Sequence, residues 1–325
     1  MLHKKIAVAA FALAAALAPA TAQAQDYPNQ PIRFIVPFAA GGGNDVMARV
    51  TSEFLNQRTK WQFIVENRPG AASAIGIDYA LRQKPDGYTL LWSPSDGLTI
   101  LPAVKASVPY KVPEDLSYLA RITELPLLVT AGTKAPFKTL AEFVTYAKAN
   151  PGKVRYGSSG VGTAPHLLAV LIMRAVGVEA THIPFQGMGP ALTALTGNHI
   201  DLLFPDPGSA KPFVEGKQIT ALAVTSEKRH PSYPDVPTVE QAGGPKTNGT
   251  VFYATFAPAG TPEAILQKLR TEIGEVLKDP KYIERIGQMG FQPSYLAGNA
   301  FKEVVVKELD QWKGIAKAAN IELKD

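Results

Sequence analysis

The 325-residue sequence contains no cysteine. Without cysteine the chain cannot form a disulfide framework, supply a thiolate nucleophile or build a cysteine-ligated metal site. It also cannot carry a lipid anchor on an N-terminal cysteine. The mature protein is therefore expected to be freely soluble.

The motifs of common enzyme classes are also missing. No glycine-rich loop ends in Lys-Ser or Lys-Thr, so the chain has no nucleotide-binding P-loop. The stretch from Gly160 to Pro165 fails the dinucleotide-binding pattern at its last position, and Val161 replaces the final glycine of a G-x-S-x-G nucleophile elbow. Beyond the N-terminal leader, no histidine pairs at metal-ligand spacing with a second histidine or a glutamate. We therefore expect no metal and no cofactor.

Charge of either sign is sparse, since 19% of residues are charged and the formal net charge is +5. Lys4 and Lys5 lie in the leader, so the remaining chain carries a formal charge of +3. This mild surplus contains no basic run, which argues against nucleic acid as a partner and would not repel an anionic solute. With 46% hydrophobic residues, the chain is too apolar to be disordered.

The N-terminal leader has the pattern of an export signal. A basic start precedes the apolar run 6–17, and Ala22-Gln23-Ala24 gives the small-x-small pattern that signal peptidase cleaves. The run is shorter than the ~20 residues needed to span a bilayer. We predict a signal peptide over residues 1–24, cleaved after about Ala24, and a periplasmic mature protein. An N-terminal anchor helix is the alternative.

Short apolar runs alternate with helical patterns along the rest of the chain, as in parallel βαβ units. Two strand-like passages, 119–130 and 251–257, bracket a middle unit. Because two chain crossings form a natural hinge, the pattern predicts an α/β protein of two lobes with a ligand in the cleft. The predicted first lobe comprises residues 26–124 and 251–325, and the second comprises residues 125–250.

Glycine is concentrated in two turns that join a predicted strand to a predicted helix. The first turn runs from Pro37 to Asp45 and the second from Gly157 to Thr163. Glycines allow main-chain N–H groups to approach a bound group, and a helix start adds a partial positive charge, so such turns can hold a carboxylate without a basic side chain. A tight turn without a ligand is the alternative for one loop, but two loops on opposite lobes favour a bridging ligand.

The candidate ligand-binding residues of these turns fall into two groups. The groups are Phe38, Ala39, Ala40, Gly41, Gly42, Asn44 and Asp45 in the first turn, and Ser158, Ser159, Gly160, Gly162, Thr163 and His166 in or just after the second. His166 is a candidate for orienting the second turn, and a packed helix histidine is the alternative. Asp45 lies in a first helical turn, where the helix dipole explains a carboxylate.

Several further segments resemble one known family, the Bug-type substrate-binding proteins of tripartite tricarboxylate transporters, from about Asp26 to the C-terminus. The segments are Tyr27-Pro28, Pro31-Ile32, Val36-Pro37-Phe38, Gly41-Gly42, Asp45, Glu66-Asn67-Arg68-Pro69-Gly70-Ala71, Pro85-Asp86-Gly87-Tyr88-Thr89-Leu90, Tyr156, Ser158-Ser159-Gly160, Gly162-Thr163, His166-Leu167, Leu222-Ala223-Val224-Thr225-Ser226, Arg229, Pro234-Asp235-Val236-Pro237-Thr238, Glu240, Gly243 and Ala257-Pro258-Ala259-Gly260-Thr261-Pro262.

The resemblance implies a type II periplasmic-binding-protein fold, with mixed sheets flanked by helices and two crossover strands as the hinge. It implies that main-chain groups of the two glycine turns hold a ligand carboxylate, and that more variable loops read the far end of the ligand. Those loops add the candidates Ser93, Ser95, Phe185, Gln186, Gly187 and Asp206. One departure is Ala72-Ser73, where the family often has Gly-Gly.

We therefore expect a non-enzymatic, monomeric solute receptor that binds a small carboxylate, such as a di- or tricarboxylate or an aromatic acid, and docks on the membrane permease subunits of its transporter. Two alternatives stay open at this point. One is an exported α/β hydrolase that uses Ser159 with His166. The other is an adaptor or ligand-sensing module for a signalling partner.

Overall fold

The computed structural model describes residues 27–105, 107–318 and 321–323. The predicted signal peptide, residues 1–24, lies outside them. The described chain forms two mixed β-sheets flanked by helices, which confirms the predicted α/β class. None of the helices in this part of the chain has the length and hydropathy needed to cross a bilayer.

The described chain contains eleven strands. They are β1 (Ile32–Val36), β2 (Phe63–Asn67), β3 (Thr89–Pro94), β4 (Leu116–Pro126), β5 (Leu128–Gly132), β6 (Arg155–Ser158), β7 (Thr181–Pro184), β8 (Leu202–Leu203), β9 (Ile219–Val224), β10 (Thr250–Pro258) and β11 (Pro293–Ala297). The first sheet has the order β11-β4-β10-β3-β1-β2, and the second has the order β7-β6-β8-β5-β9.

Ten α-helices connect or cover these strands. They are α1 (Gly43–Thr59), α2 (Ala74–Leu81), α3 (Leu101–Val104), α4 (Leu140–Ala149), α5 (Ala164–Val176), α6 (Met188–Thr196), α7 (Pro207–Glu215), α8 (Glu263–Lys278), α9 (Pro280–Gln288) and α10 (Gly298–Ala318). A 3₁₀ turn (Ala71–Ser73) precedes α2, and a π-helical turn (Asp96–Ile100) precedes α3.

Strand β1 shows why the first sheet is covered on both faces. It pairs in parallel with β2 and β3. Phe34 packs on one face against Phe63 and Trp92, with ring centroids 5.3 and 5.4 Å away. Its neighbour Ile35 is buried in a separate cluster on the opposite face. A strand buried on both faces reads as a continuous apolar run, and its carboxyl end is the natural place for a ligand loop.

The first chain crossing between the sheets is made by Leu127. The predicted continuous strand 119–130 is wrong, because β4 ends at Pro126 and β5 begins at Leu128. Proline has no N–H with which to continue the ladder. The Leu127 N–H instead donates to the Thr225 side-chain oxygen at 2.9 Å, and the Leu127 carbonyl accepts from the Thr225 N–H at 2.9 Å.

Thr225 also holds the second crossing. Its hydroxyl donates to the Gly249 carbonyl at 2.6 Å, and the Gly249 N–H donates to the Thr225 carbonyl at 3.0 Å, immediately before β10 begins. Thr225 is fully buried. One side chain therefore ties the two crossings together, which gives the connection between the two sheets a compact, hydrogen-bonded pivot.

Candidate functional site

The first glycine turn lies between β1 and α1. Gly41 has φ of +87°, a conformation that favours glycine. The N-cap residue, Gly42, is extended and offers no side-chain cap to the helix that begins at Gly43. The positive end of α1 therefore has no capping side chain at its own N-cap position.

Asp45 holds this turn in shape. Its carboxylate accepts hydrogen bonds from the Gly41 N–H at 3.1 Å, from Arg49 Nε at 3.1 Å and from the Asn67 amide at 2.9 Å. Burial opposes ionisation, but the bonds from Arg49, Gly41 and Asn67 together lower the pKa of Asp45 below its usual value. Asp45 is thus a charged clamp whose partners are supplied by the first lobe itself.

The second glycine turn lies between β6 and α5 and is held by its own hydroxyls. Ser158 Oγ donates to the Gly160 carbonyl at 3.0 Å and accepts from the Gly160 N–H at 3.2 Å. Thr163 Oγ1 donates to the same carbonyl at 2.7 Å. Gly160 and Gly162 have φ of +142° and +89°. The two buried hydroxyls therefore set the shape of the turn, and Ser159 is the serine that reaches the interlobe cavity.

A stacked pair of histidines supports the second turn from behind. His166 Nδ1 accepts from the Gly162 N–H at 3.2 Å, which is the orienting contact considered for this residue. Its ring lies 4.1 Å from that of His182, whose Nε2 is 2.7 Å from Ser158 Oγ. Burial lowers the pKa of His166 to about 4, and burial together with His166 lowers the pKa of His182 to about 3. Both rings are neutral near pH 7.

His182 was not among the predicted site residues. The hydrolase alternative predicted a serine–histidine pair, but it named residues other than the two that are hydrogen-bonded. His182 lies on β7 and reaches the turn only because β7 pairs in parallel with β6, opposite Tyr156. The serine hydroxyl bonded to an imidazole is that of Ser158, whereas the predicted pair was Ser159 with His166. Since the Ser158 hydroxyl is also bonded to Gly160, the arrangement braces a loop.

The two lobes meet directly through small residues. The Ala39 N–H donates to the Gln186 carbonyl at 3.0 Å. A Cβ built on Gly187 would lie 3.1 Å from the Ala39 nitrogen, and one on Gly42 would lie 3.1 Å from the Met188 Cβ. Because these approaches leave almost no room for a side chain, the starts of α1 and α6 face each other closely across the lobe interface.

A cavity of about 50 Å³ lies at this interface. Seven of the predicted site residues line it, namely Phe38, Ala39, Gly42, Asn44, Asp45, Ser159 and Asp206. The other lining residues are Gly43, Pro94, Asp96, Leu127, Pro165, Met188, Val251 and Tyr253. Asn44 is 6% exposed, and neither its side-chain nitrogen nor its oxygen has a hydrogen-bond partner. A buried amide without a partner at a cavity wall is suited to bind a polar ligand.

The other predicted residues fall outside this cavity. Gly160, Phe185 and Gln186 line a second, adjoining space of about 380 Å³, which Phe38 and Ser159 also line. Ala40, Gly41 and Gly187 form the lobe contact. Gly162 and Thr163 belong to the second turn but do not line the cavity, and His166 lies behind this turn. Ser93 and Ser95 are fully buried, and the Ser93 hydroxyl bonds to the Pro94 carbonyl.

The wall of the second space contains a strained turn. Ala71, Ala72 and Ser73 have φ of +46°, +52° and +89°, so three successive residues with side chains adopt left-handed backbone. The Ala72 Cα is 3.3 Å from the position of a Cβ on Gly160, which places this turn against the second lobe. Left-handed backbone costs roughly 1–2 kcal/mol per residue with a side chain. Ala72-Ser73 is the departure from Gly-Gly noted in the sequence.

Two carboxyl side chains reach across the lobe interface, each to the start of a helix in the other lobe. Asp96, from the π-helical turn of the first lobe, accepts from the Ala164 N–H at the start of α5 at 3.3 Å. Asp206, the N-cap of α7, lies against Gly43 at the start of α1 so closely that a Cβ there would overlap its carboxylate. Burial raises the pKa of Asp96 to about 7 and also raises the pKa of Asp206.

Comparison with known proteins identifies the family of the chain. The family described as tripartite tricarboxylate transporter family receptor matches residues 47–321. The chain belongs to this receptor family. It is 32% identical to Protein BugT of Bordetella pertussis over 324 residues, which cover 98% of each chain.

Two solved structures of similar proteins support the same class. The periplasmic binding protein BugD gives a TM-score of 0.88 at 30% identity, covering 92% of this chain and 100% of that chain. An R. palustris protein solved with adipate gives a TM-score of 0.87 at 28% identity, covering 91% and 99%. These comparisons confirm the Bug-type resemblance and the two-lobed fold. Members of this family are solute receptors, not enzymes.

Replacing Ala72 with glycine should stabilise this receptor. Glycine adopts left-handed backbone without the steric cost of a Cβ, so we expect the free energy of unfolding to rise by about 1 kcal/mol. Urea denaturation followed by circular dichroism measures the change. The same substitution at the exposed Ala141 in the first turn of α4 is the control and should lower stability by up to about 1 kcal/mol, because glycine is the poorer helix former. A loss of stability in Ala72→Gly would show that the turn is not strained.

Acidification should weaken the fold through the histidine stack. The unfolded chain binds protons at His182 below its ordinary pKa of about 6.5, whereas the folded protein resists protonation until about pH 3. Stability is therefore lost as pH falls below about 6.5. Between pH 7 and 4.5 the free energy of unfolding should fall by about 2 kcal/mol more in the native protein than in His182→Gln. This figure is reduced from the full effect of the pKa shift, because the ring is only partly buried and solvent screens part of the interaction.

Urea titrations at the two pH values measure this difference. His199→Gln, which removes an exposed histidine outside the stack, should keep the pH dependence of the native protein. Equal losses in the native protein and in His182→Gln would contradict the proposed neutral stack.

Proposed function

We propose that this protein captures a small carboxylate in the cavity between its lobes and delivers it to the membrane permease subunits of a tripartite tricarboxylate-type transporter. The observation that carries the proposal is one cavity bordered by the start of α1 and by the second glycine turn, in a member of a receptor family. The adipate held by a structural neighbour is consistent with a carboxylate ligand.

The carboxylate would bind at the start of α1. The first turn of a helix presents unpaired main-chain N–H groups, and each favourable contact of an anion with a helix start contributes ~0.3–1 kcal/mol, or up to ~2 kcal/mol when partly buried. The unpaired Asn44 amide adds a side-chain donor at the same place. No basic side chain is required for this mode of capture.

Ligand binding would shift the protein toward the closed arrangement of its lobes. A ligand moves such an equilibrium only by its better contacts with one state. Here the cavity wall is assembled from both lobes, with Asn44 on α1 and Ser159 in the second turn. The contacts of a ligand with both walls exist only when the lobes are closed, and Thr225 at the crossings is the pivot that we propose for the motion.

The remaining parts of the proposal concern location and assembly. The leader supports export with cleavage after about Ala24, and the mature receptor would act in the periplasm as a monomer. We propose lobe boundaries at residues 26–124 with 251–325 for the first lobe, and 125–250 for the second. The chain passes from one sheet to the other at Leu127 and at Gly249, which supports those boundaries.

The substitution Gly43→Ala tests closure and binding together. Alanine is the better helix former, so the first lobe should be no less stable, but its Cβ would overlap Asp206 of the other lobe. We expect the affinity for whichever carboxylate the native protein binds to fall at least tenfold. Isothermal titration calorimetry against malate, adipate, citrate, benzoate and their amino-substituted relatives measures it.

The control is Gly314→Ala on α10, where an added Cβ meets no atom within 4 Å. This variant should bind like the native protein. If no carboxylate binds the native protein, the proposed function is wrong. If Gly43→Ala binds with native affinity, the ligand is not held by lobes closed at this contact.

A further inference from the structure

The charges around the interlobe cavity are all of one sign. Three carboxyl side chains line it, those of Asp45, Asp96 and Asp206, and the described lining residues include no lysine, arginine or histidine. Asp45 is compensated from outside the cavity by Arg49, whose Nη2 lies 2.9 Å from its carboxylate. The other two acids therefore decide the charge that a ligand meets.

Asp96 and Asp206 are bonded by neutral groups. Asp96 accepts from the Ala164 N–H at 3.3 Å. Asp206 accepts from the Ser209 N–H at 2.8 Å, from the Ser209 hydroxyl and from the Tyr253 hydroxyl. Both acids are at least 95% buried, and burial raises the pKa of each. This is the response of buried carboxyls that lack a cationic partner.

Asp96 and Asp206 line the same cavity, and each belongs to a different lobe. Asp96 follows β3 of the first sheet and Asp206 follows β8 of the second. Tyr253 is buried on the crossover strand β10, and after burial itself the charges of Asp206 and Asp96 both raise its pKa. All three residues line the cavity. A group bound by both acids would therefore join the lobes.

Asn44 gives independent evidence for a polar ligand in this cavity. It is 6% exposed, lines the cavity, and has neither its amide nitrogen nor its oxygen hydrogen-bonded. An amide can donate to an anion and accept from a cation or an N–H group. The same side chain could thus serve two charges of opposite sign on one ligand.

A purely anionic ligand fits this wall poorly. A second carboxylate beside Asp96 and Asp206 would either require both acids to stay protonated or add like charge where little water remains to screen it. A cationic nitrogen would instead form charge-assisted hydrogen bonds with both acids and neutralise them. The start of α1 would still hold the carboxylate of the same molecule.

We propose that the ligand is a zwitterion of the amino-acid type, whose carboxylate binds at the start of α1 and whose cationic nitrogen binds Asp96 and Asp206. This inference rests on the proposed function, because it assigns a chemical class to the solute of the same cavity. It makes the two acids the residues that set specificity, and it makes the cation a second bridge between the lobes.

Matched pairs of ligands test the proposal. Succinate with aspartate, glutarate with glutamate, and adipate with 2-aminoadipate differ within each pair by one ammonium group. Calorimetry on the full mature protein should give at least tenfold tighter binding for the aminated member of the pair that fits best. In Asp96→Asn and Asp206→Asn this advantage should fall below threefold, because the charge is lost.

Asparagine keeps one acceptor oxygen at each position, although it cannot accept all the hydrogen bonds that Asp206 accepts. It can accept from the Ala164 N–H and can cap α7 through the Ser209 N–H, and circular dichroism with thermal unfolding verifies that the variants fold. Asp235→Asn removes the same charge from an exposed loop and should retain the tenfold preference.

The outcomes separate this inference from the function on which it rests. If plain dicarboxylates bind as tightly as their aminated partners, or if both asparagine variants keep the preference, the cation site is wrong while the carboxylate receptor stands. If 1,4-diaminobutane binds the native protein and no carboxylate does, the receptor for carboxylates is wrong while the cation site stands. If neither these molecules nor malate, citrate or benzoate binds, both proposals fail.

Discussion

The structure depends on the contact between two helix starts and the carboxyls that reach them from the opposite lobe. Asp206 of the second lobe lies against Gly43, and Asp96 of the first lobe accepts from the Ala164 N–H. Each contact joins a partial positive charge to an acid in a buried setting, where such attractions are stronger than in water. Glycine is required at position 43 because a Cβ there would overlap the Asp206 carboxylate.

In a cavity without a basic side chain, main-chain N–H groups at helix starts are the donors that remain for the carboxylate of the proposed ligand. The two helix starts provide the positive potential, and the turns that carry them are braced from behind by Asp45 in one lobe and by His182 in the other. The bracing residues are bonded to the loops themselves. Both turns therefore hold their shape through contacts within their own lobes.

The sequence predicted the parts of the site that are local and missed those that depend on the fold. Both glycine turns are visible in the sequence because strand, glycines and helix are adjacent there. The bond from Ala164 to Asp96 joins residues 68 positions apart, and that from Ser158 to His182 joins residues 24 apart, so neither has a local signal. Helix α7 was also missed, because Gly208 and Pro212 lower its helix propensity while Asp206 caps it.

A crystal structure of the protein with its bound solute tests the central claim most directly. The account predicts a ligand carboxylate within about 3 Å of main-chain N–H groups in the first turn of α1 and beside the Asn44 amide, with no lysine or arginine in contact with that carboxylate. A carboxylate paired with a basic side chain, or a solute bound away from the start of α1, would contradict it.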